Sequence, residues 1–266
     1  MKVKEIDNTV FKYIAIIITF AFCWSNQQEF AQIKEFEEKM IQNYDDLVIA
    51  DSDLRYEFTA PKFKEELRAV LLKPKTFKYP FDSLGKYINI ISSQDKRLRL
   101  YSWDEMTGGT WHQMAALAQY TNEAGNIYCE NLDSDFYGDE TDISDIIFYK
   151  INDVDIQNIP NYIVFGWGTF GGGSHFKIVK VFTIIGNKIT DNNKIFKLND
   201  KLISELYLST SRSNKINLDY NSKNQVIEFD EFRRPSENEE EMGYMHPIPT
   251  GNTIKLKFNG KVFENE

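Results

Sequence analysis

The chain has few of the residues that build cross-linked or metal-stabilised domains. It contains two cysteines, Cys23 and Cys129, and three histidines, His112, His175 and His246. We expect Cys23 to be removed with an N-terminal segment, and the single thiol that remains cannot form an intramolecular disulfide. The histidines lie far apart in sequence and lack the i, i+4 spacing of helical zinc sites. The mature chain must therefore be stabilised by its hydrophobic core.

Long apolar runs are also lacking. The run from Tyr13 to Trp24 has about a dozen residues, whereas a membrane-spanning helix needs roughly 20. Lysines precede this run and polar residues follow it, which is the order found in export signals. We interpret residues 1–25 as a signal peptide cut near Ser25, and we expect an exported protein, periplasmic or extracellular, with no stable transmembrane span.

Two alternatives to cleavage remain open for this segment. The run could stay in the chain as a membrane anchor, although it is short for that purpose. Cys23 at its end could carry a lipid, as cysteines do in bacterial lipoproteins. Phe22 occupies the preceding position, where lipid attachment normally requires a small residue, so cleavage near Ser25 fits the sequence better than a lipid anchor.

Positive charge is in short supply. The chain has 40 acidic and 31 basic residues, giving a formal net charge of −9. Such a chain repels a phosphate backbone unless its basic residues form a stripe, and the sequence contains no such stripe. This charge balance argues against nucleic acid and leaves a protein or a glycan as the expected partner.

The spacing of apolar residues changes near residue 85. Residues 26–84 show the three-and-four spacing of helices, with a second helix beginning near Pro61. Residues 85–266 show a period of two in about eleven short segments without a long helix between them, which predicts antiparallel strands. We expect an α+β fold, mainly β: two N-terminal helices packed on an antiparallel β-sandwich or partly closed barrel, as one globular unit.

Glycine and asparagine mark the predicted turns. Gly186–Asn187 and Asn259–Gly260 each separate two strand-like segments and predict two-residue hairpins, because the central turn positions need a positive φ. Residues 131–142 and 231–252 are predicted to be long loops. Gly166–Gly171 matches the glycine spacing of dinucleotide-binding folds, but a strand-like segment follows it where such folds need a helix, so we predict a glycine-rich hairpin or bulge.

The segment 97–112 carries the most distinctive candidate site. Trp103 and Trp111 lie close to Asp104 and Glu105, and Trp167 is a third candidate ring. Tryptophan faces beside carboxylates suit a sugar, and two carboxylates could act as acid and base. Neighbouring residues need not face the same cleft, however, and a structural corner with buried tryptophans is the alternative interpretation.

An acidic loop is the only cation site that the sequence suggests. Asp133 and Asp135, followed by Gly138, resemble the start of a calcium loop. Tyr137 stands at the third ligand position and Ser144 where a bidentate glutamate should close the coordination sphere. Calcium is therefore the one cofactor considered, with a solvated acidic loop as the alternative.

Six short, mostly hydrophobic motifs follow one another between residues 85 and 263. They are Leu98–Asp104, Gly108–Thr110, Tyr162–Gly168, Leu218–Tyr220, Val226–Phe229 and Lys257–Phe263. In this order they resemble motifs of a group of secreted proteins of unknown function from Gram-negative bacteria. The resemblance implies an exported bacterial protein with helices followed by strands, but it implies no catalytic residue.

No arrangement of residues forces a particular chemistry on this chain. We therefore expect a non-enzymatic binding or interaction module in the periplasm or at the cell surface. The alternative is a hydrolase that acts on a polysaccharide or envelope polymer with Asp104 and Glu105 as its carboxylates.

Overall fold

The structure is a computed structural model that describes residues 30–107, 112–132 and 145–266. The predicted signal peptide, residues 1–25, lies outside the described residues. None of the helices in the described part of the chain combines the length and the apolar character needed to cross a membrane.

Helical residues form the first part of the described chain. Helix α1 covers residues 30–49. A short helical turn (Ser52–Leu54) and a π-helical turn (Arg55–Thr59) then lead without a break into helix α2 (Ala60–Leu71). Two 3₁₀ turns, Pro74–Lys78 and Leu84–Lys86, connect α2 to the first strand.

Both helices bury one apolar face against the same sheet. Residues of α1 and α2, such as Met40 and Phe63, form one cluster with Tyr101 and Trp103 of strand β2. The three-and-four spacing of the apolar positions places them on one side of each helix. Glu37 also lies on the buried side of α1 and is only 3% exposed.

The described part of the chain contains fifteen strands. They are β1 (Asn89–Ser92), β2 (Leu98–Asp104), β3 (Met114–Thr121), β4 (Ile127–Asn131), β5 (Ile147–Ile156), β6 (Ile159–Phe170), β7 (Ser174–Ile185), β8 (Lys188–Thr190), β9 (Phe196–Leu198), β10 (Lys201–Ile203), β11 (Glu205–Ser211), β12 (Leu218–Asn221), β13 (Val226–Arg233), β14 (Ile248–Phe258) and β15 (Phe263–Asn265). A short helix, α3 (Glu237–Glu241), lies between β13 and β14.

The strands form three sheets. The first has the order β1-β2-β3-β4, the second β11-β7-β6-β5 with β8 paired to β7, and the third β10-β9-β15-β14-β13-β12. Neighbouring strands pair antiparallel, except for one parallel bridge between Phe263 and Phe196. The predicted antiparallel, mainly β class is confirmed, and the sheets that the described residues form do not close into a barrel.

The sheets and the helices stack in four layers. Along β2, Tyr101 and Trp103 pack against the helices, whereas Leu98 and Leu100 pack against the second sheet. This is the alternation that the period of two in a strand produces. The other face of the second sheet packs against the third sheet through a separate apolar cluster that includes Phe165.

One predicted hairpin forms as expected and the other is shifted. Gly186–Asn187 joins β7 to β8, with Gly186 at a φ of 59°. In the second hairpin the Asn259 backbone N–H donates to Val262 O at 3.0 Å, so Gly260 and Lys261 are the central residues. The Asn259 side chain accepts hydrogen bonds from the N–H groups of Lys261 and Val262. An asparagine that closes the turn with its side chain displaces the glycine by one position.

The predicted long loop at residues 231–252 is largely ordered. Strand β13 extends to Arg233, β14 begins at Ile248, and α3 occupies part of the interval. The loop is therefore residues 234–247. Most of the other predicted loop, residues 131–142, lies outside the described residues.

Candidate functional site

A cleft of about 250 Å³ opens beside the end of β2. Strand β1 pairs with β2 only as far as the Asn89–Ser102 pair, so the edge of β2 is not covered by β1 at Trp103 and Asp104. The gap is bordered by residues from α1, the turn before β1, and the strands β5 and β6. The lining residues are Tyr44, Gly85, Lys86, Tyr87, Ile88, Asn89, Ser102, Trp103, Asp104, Ile147 and Trp167.

Two of the aromatic rings in this cleft are open to solvent. Tyr87 is 41% exposed and Trp167 is 38% exposed. The ring of Tyr44 packs on the ring of Tyr87, with centroids 6.1 Å apart in an edge-to-face arrangement. Trp103 is only 1% exposed and packs edge-to-face on Phe63, with centroids 5.1 Å apart. The accessible rings are thus Tyr87 and Trp167, and Trp103 belongs to the floor of the cleft.

The glycines on either side of Trp167 let β6 approach the chain that enters β5. A Cβ atom on Gly166 would lie 2.2 Å from Cγ2 of Ile146, and one on Gly168 would lie 2.3 Å from the backbone oxygen of Asp145. Contacts this short require Gly at both positions. The segment continues through a turn at Gly171–Gly173 into β7, which confirms the predicted glycine-rich hairpin.

Asp104 and His112 form a close pair at one end of the cleft. His112 Nδ1 lies 2.6 Å from Asp104 Oδ2, and the two side chains are 40% and 23% exposed. The same carboxylate accepts a hydrogen bond from the backbone N–H of Met106 at 2.7 Å. The backbone N–H of His112 donates to Thr169 Oγ1 at 3.2 Å. These contacts hold the ends of β2 and β3 next to β6.

The carboxylate of Asp104 also acts on the Tyr44 hydroxyl. Burial is the main reason why the pKa of Tyr44 is raised, and the negative charge of Asp104 adds to it. Tyr44 therefore stays protonated at neutral pH and can serve as a hydrogen-bond donor.

Glu105, the second predicted carboxylate, does not share the surroundings of Asp104. Glu105 is 7% exposed, and its backbone N–H donates to Gln113 O at 3.0 Å. Asp104 lines the cleft, whereas Glu105, which follows the end of β2, is not one of its lining residues. This arrangement does not suit a reaction that needs both carboxylates on the same sugar bond.

Arg55, in the π-helical turn, connects the helical layer to the segment that follows strand β2 beside the site. Its guanidinium donates to the backbone oxygens of Leu47, Val48 and Ala50 at the end of α1, and also to that of Met106 beyond β2. A planar group with five donors can bind several carbonyl oxygens at once. Arg55 thereby ties the end of α1 and the π-helical turn to the segment that follows Asp104.

Some predicted site residues lie outside the described part of the chain. Trp111, the second tryptophan of the predicted sugar site, is among them, as are the calcium candidates Asp133 and Asp135. Within residues 30–107, 112–132 and 145–266, no group of three or more His, Cys, Asp or Glu side chains is arranged to hold a metal ion.

A larger groove, about 800 Å³, lies on the outer face of the third sheet. Its lysines are paired with neighbouring acids, Lys255 with Glu228 and Lys257 with Glu266, each at 3.2 Å. None of its lining residues is aromatic. A sheet face whose charges pair with one another is typical of a solvated surface, and we therefore favour the smaller aromatic cleft as the site.

Tyr87 and His112 were not among the residues predicted for a site of this kind. The apolar residues that follow Tyr87 predict a strand, and the spacing of His112 from the other histidines argues only against a zinc site. The proximity of Asp104 to His112, eight residues apart, depends on the antiparallel pairing of β2 with β3, which places Asp104 opposite Met114.

We compared the chain with protein families, with curated proteins and with solved structures, and none of the three comparisons found a match.

Proposed function

We propose that this protein is a non-enzymatic binding module whose cleft takes one ring of a glycan. The observation that carries the proposal is the presence of two exposed aromatic rings, Tyr87 and Trp167, in one cleft with the carboxylate of Asp104. A sugar presents C–H groups that pack on aromatic faces and hydroxyl groups that donate to carboxylates.

The size of the cleft supports a small ligand portion. Pockets for complete small molecules usually measure about 300 to 1,000 Å³. The cleft, at about 250 Å³, lies below this range and is open on one side, which suits a single ring of a longer chain. We therefore expect weak binding to a single sugar and tighter binding where several sites meet a polymer.

The polar groups of the cleft support binding more than cleavage. Asp104 is engaged by His112 and by the N–H of Met106, which fixes its orientation. Glu105, its neighbour, is buried and does not line the cleft. A glycan held by stacking and by one fixed carboxylate needs no second acid.

We also propose that the protein is exported and acts in the periplasm or at the cell surface. The proposal is supported by the order of lysines, apolar run and polar residues in the first 28 positions. Mass spectrometry of the protein recovered from the producing cell should find a mature N terminus near residue 26. An intact N terminus on protein in the cytoplasm would contradict it.

The binding proposal is tested by thermal melting with a panel of glycans. A ligand at about 100 times its Kd stabilises the folded state by about 2.7 kcal/mol. We expect one glycan class to raise the Tm of the wild type, Trp167→Ala and Tyr87→Ala to lose this shift, and Tyr56→Ala, an exposed ring outside the cleft, to keep it. A shift that survives both cleft substitutions would contradict the proposal.

A hydrolase is the second candidate, favoured by the Asp104–His112 pair. With Nδ1 hydrogen-bonded to a carboxylate, the Nε2 atom of a neutral histidine can take a proton from a nucleophile or from water. Turnover of a polysaccharide by the wild type that falls at least about 100-fold in His112→Gln and in Asp104→Asn would support this function. Turnover that is unchanged in both variants would remove the pair from consideration.

A further inference from the structure

The loop between β13 and β14, residues 234–247, exposes three apolar side chains in a short stretch. Met242 is 75% exposed, Tyr244 is 55% exposed and Met245 is 83% exposed. Isolated exposed apolar residues are common, but several at the tip of one loop mark a contact surface. We call these three side chains the apolar tip.

The loop that carries the apolar tip is braced at the start of α3. Ser236 and Glu239 form a capping box. The Ser236 side chain accepts a hydrogen bond from the backbone N–H of Glu239, and the Glu239 carboxylate accepts one from the backbone N–H of Ser236. Glu239 also accepts two hydrogen bonds from the Arg233 guanidinium, at 2.8 and 2.7 Å. Charge-assisted pairs with two parallel bonds fix geometry better than single contacts do. The pKa of Glu239 is accordingly held far below its usual range by Arg233.

The end of α3 and the base of the loop are fixed as well. Gly243, at a φ of 90°, donates to Glu240 O, and Tyr244 N–H donates to Glu239 O, both at 2.9 Å. These two bonds form a Schellman motif, which places the apolar tip directly after the helix. At the base, Thr210 Oγ1 donates to Pro247 O at 2.6 Å. His246 Nε2 lies 2.9 Å from Gly172 O.

We propose that the loop 234–247 docks a partner protein that presents an apolar surface bordered by basic side chains. A loop held in one conformation loses little entropy on binding, so its exposed methionines and tyrosine can contribute most of their burial to affinity. Methionine adapts to pockets of irregular shape, and tyrosine is common at binding hot spots. None of these residues lines the cleft, so the docking function does not depend on the proposed glycan site.

The charge around the apolar tip selects the partner. Glu237, Glu240 and Glu241 are exposed, and within the described part of the chain none of them has an ion-pair partner. Three free carboxylates beside an apolar tip are repelled by anionic lipids and by acidic proteins. They attract basic side chains at the border of an apolar surface and increase the rate of association at low salt.

The test uses a labelled synthetic peptide that forms an amphipathic helix with one apolar face and lysines on the other faces. Binding to the full chain is measured by fluorescence anisotropy. We expect Met242→Ser/Tyr244→Ser/Met245→Ser to raise the Kd at least about tenfold. The control variant, Ile49→Ser/Tyr56→Ser/Phe58→Ser, removes three other apolar residues, each more than half exposed, and should keep the wild-type Kd.

Charge and alternative occupants are tested with the same proteins. Glu237→Gln/Glu240→Gln/Glu241→Gln should weaken binding at low salt and reduce its salt dependence. Failure of the wild type to bind the basic peptide, or equal binding by the apolar-tip variant, would overturn the proposal. Two other results would also overturn the proposal, provided that each is lost in the apolar-tip variant. One is a dimer of the wild type in analytical ultracentrifugation, and the other is binding of the wild type to phosphatidylcholine/phosphatidylglycerol vesicles.

Discussion

Replacing Glu37 with alanine removes an acceptor that connects α1 to the turns before β1. The Glu37 carboxylate is 3% exposed and accepts three hydrogen bonds. The donors are the backbone N–H groups of Ser83 at 2.9 Å and Leu84 at 2.8 Å, and the Tyr79 hydroxyl at 2.8 Å. All three lie more than forty residues away in the chain, so this one side chain joins two separate parts of the helical region.

The cost of Glu37→Ala follows from the groups left behind. A buried donor without an acceptor costs about 1 to 3 kcal/mol, and Leu84, which is fully buried, offers its N–H no access to water. Ser83 is exposed, so water can replace part of its lost bond. We expect a loss of about 3 kcal/mol of unfolding free energy in total.

Glu37→Gln and Glu38→Ala are the matched controls. Glutamine keeps one carbonyl oxygen for the two N–H groups and should cost about 1 kcal/mol. Glu38 is exposed and forms a long ion pair with Lys34, at 3.8 Å, so its replacement should change stability by less than about 0.5 kcal/mol. Urea unfolding with linear extrapolation measures all three. Equal losses for Glu37→Gln and Glu37→Ala would refute the acceptor role.

Three further predictions concern packing, reactivity and pH. Gly168→Ala should lower the unfolding free energy, measured in urea, by more than about 2 kcal/mol, because the added Cβ would collide with the backbone of Asp145. Gly171→Ala, with no atom within 4 Å of the added Cβ, should leave the unfolding free energy nearly unchanged. Equal effects of the two substitutions would contradict the close approach of β6 to Asp145. Burial raises the pKa of Cys129 to about 12, so peptide mapping after iodoacetamide at pH 8 should find this thiol unmodified until urea unfolds the chain. The hydrogen bond from Lys150 lowers the pKa of Asp219. The ionised carboxylate therefore stabilises the folded state at pH values above the unfolded-state pKa of about 3.9, and this stabilisation is lost as the pH falls further. Acid unfolding of Asp219→Asn should thus depend less on pH in this range than that of the wild type.

The mainly β class could be predicted because it depends on local patterns. Alternating apolar residues in β2 and the glycine turn at Gly186 act over a few neighbouring positions. Strand β11 is hard to predict because its apolar residues, Leu206 to Leu208, do not alternate with polar ones, and its only fully buried polar residue is Thr210. Strand β12 does alternate, but four residues are too short a segment to stand out from a loop.

The cleft could be predicted only in part. Trp103, Asp104 and Trp167 were named from residue chemistry, since tryptophan and carboxylate suit sugars. Their roles depend on the fold: β1 ends opposite Ser102, which opens the edge of β2 and brings Tyr87 beside it. The buried position of Trp103 follows from its packing on α2, a contact between residues forty positions apart that no local pattern contains.

Glu37 shows the same limit in the helical region. Helical spacing predicts that the charged residues of α1 face solvent. Glu37 instead lies on the buried side, where the backbone N–H groups of Ser83 and Leu84 donate to it. By contrast, the capping box of Ser236 and Glu239 has a sequence signature, Ser followed three residues later by Glu, that could have identified α3 inside the predicted loop.

Saturation-transfer difference NMR tests the glycan cleft most directly, because it reports which ligand protons lie against the protein surface. With the glycan that raises the Tm of the wild type, we predict strong transfer to the C–H protons of one sugar ring. The transfer should be lost in Trp167→Ala and retained in Gly171→Ala, which leaves the cleft intact. Undiminished transfer in Trp167→Ala, or no transfer to the wild type from any glycan, would contradict the account.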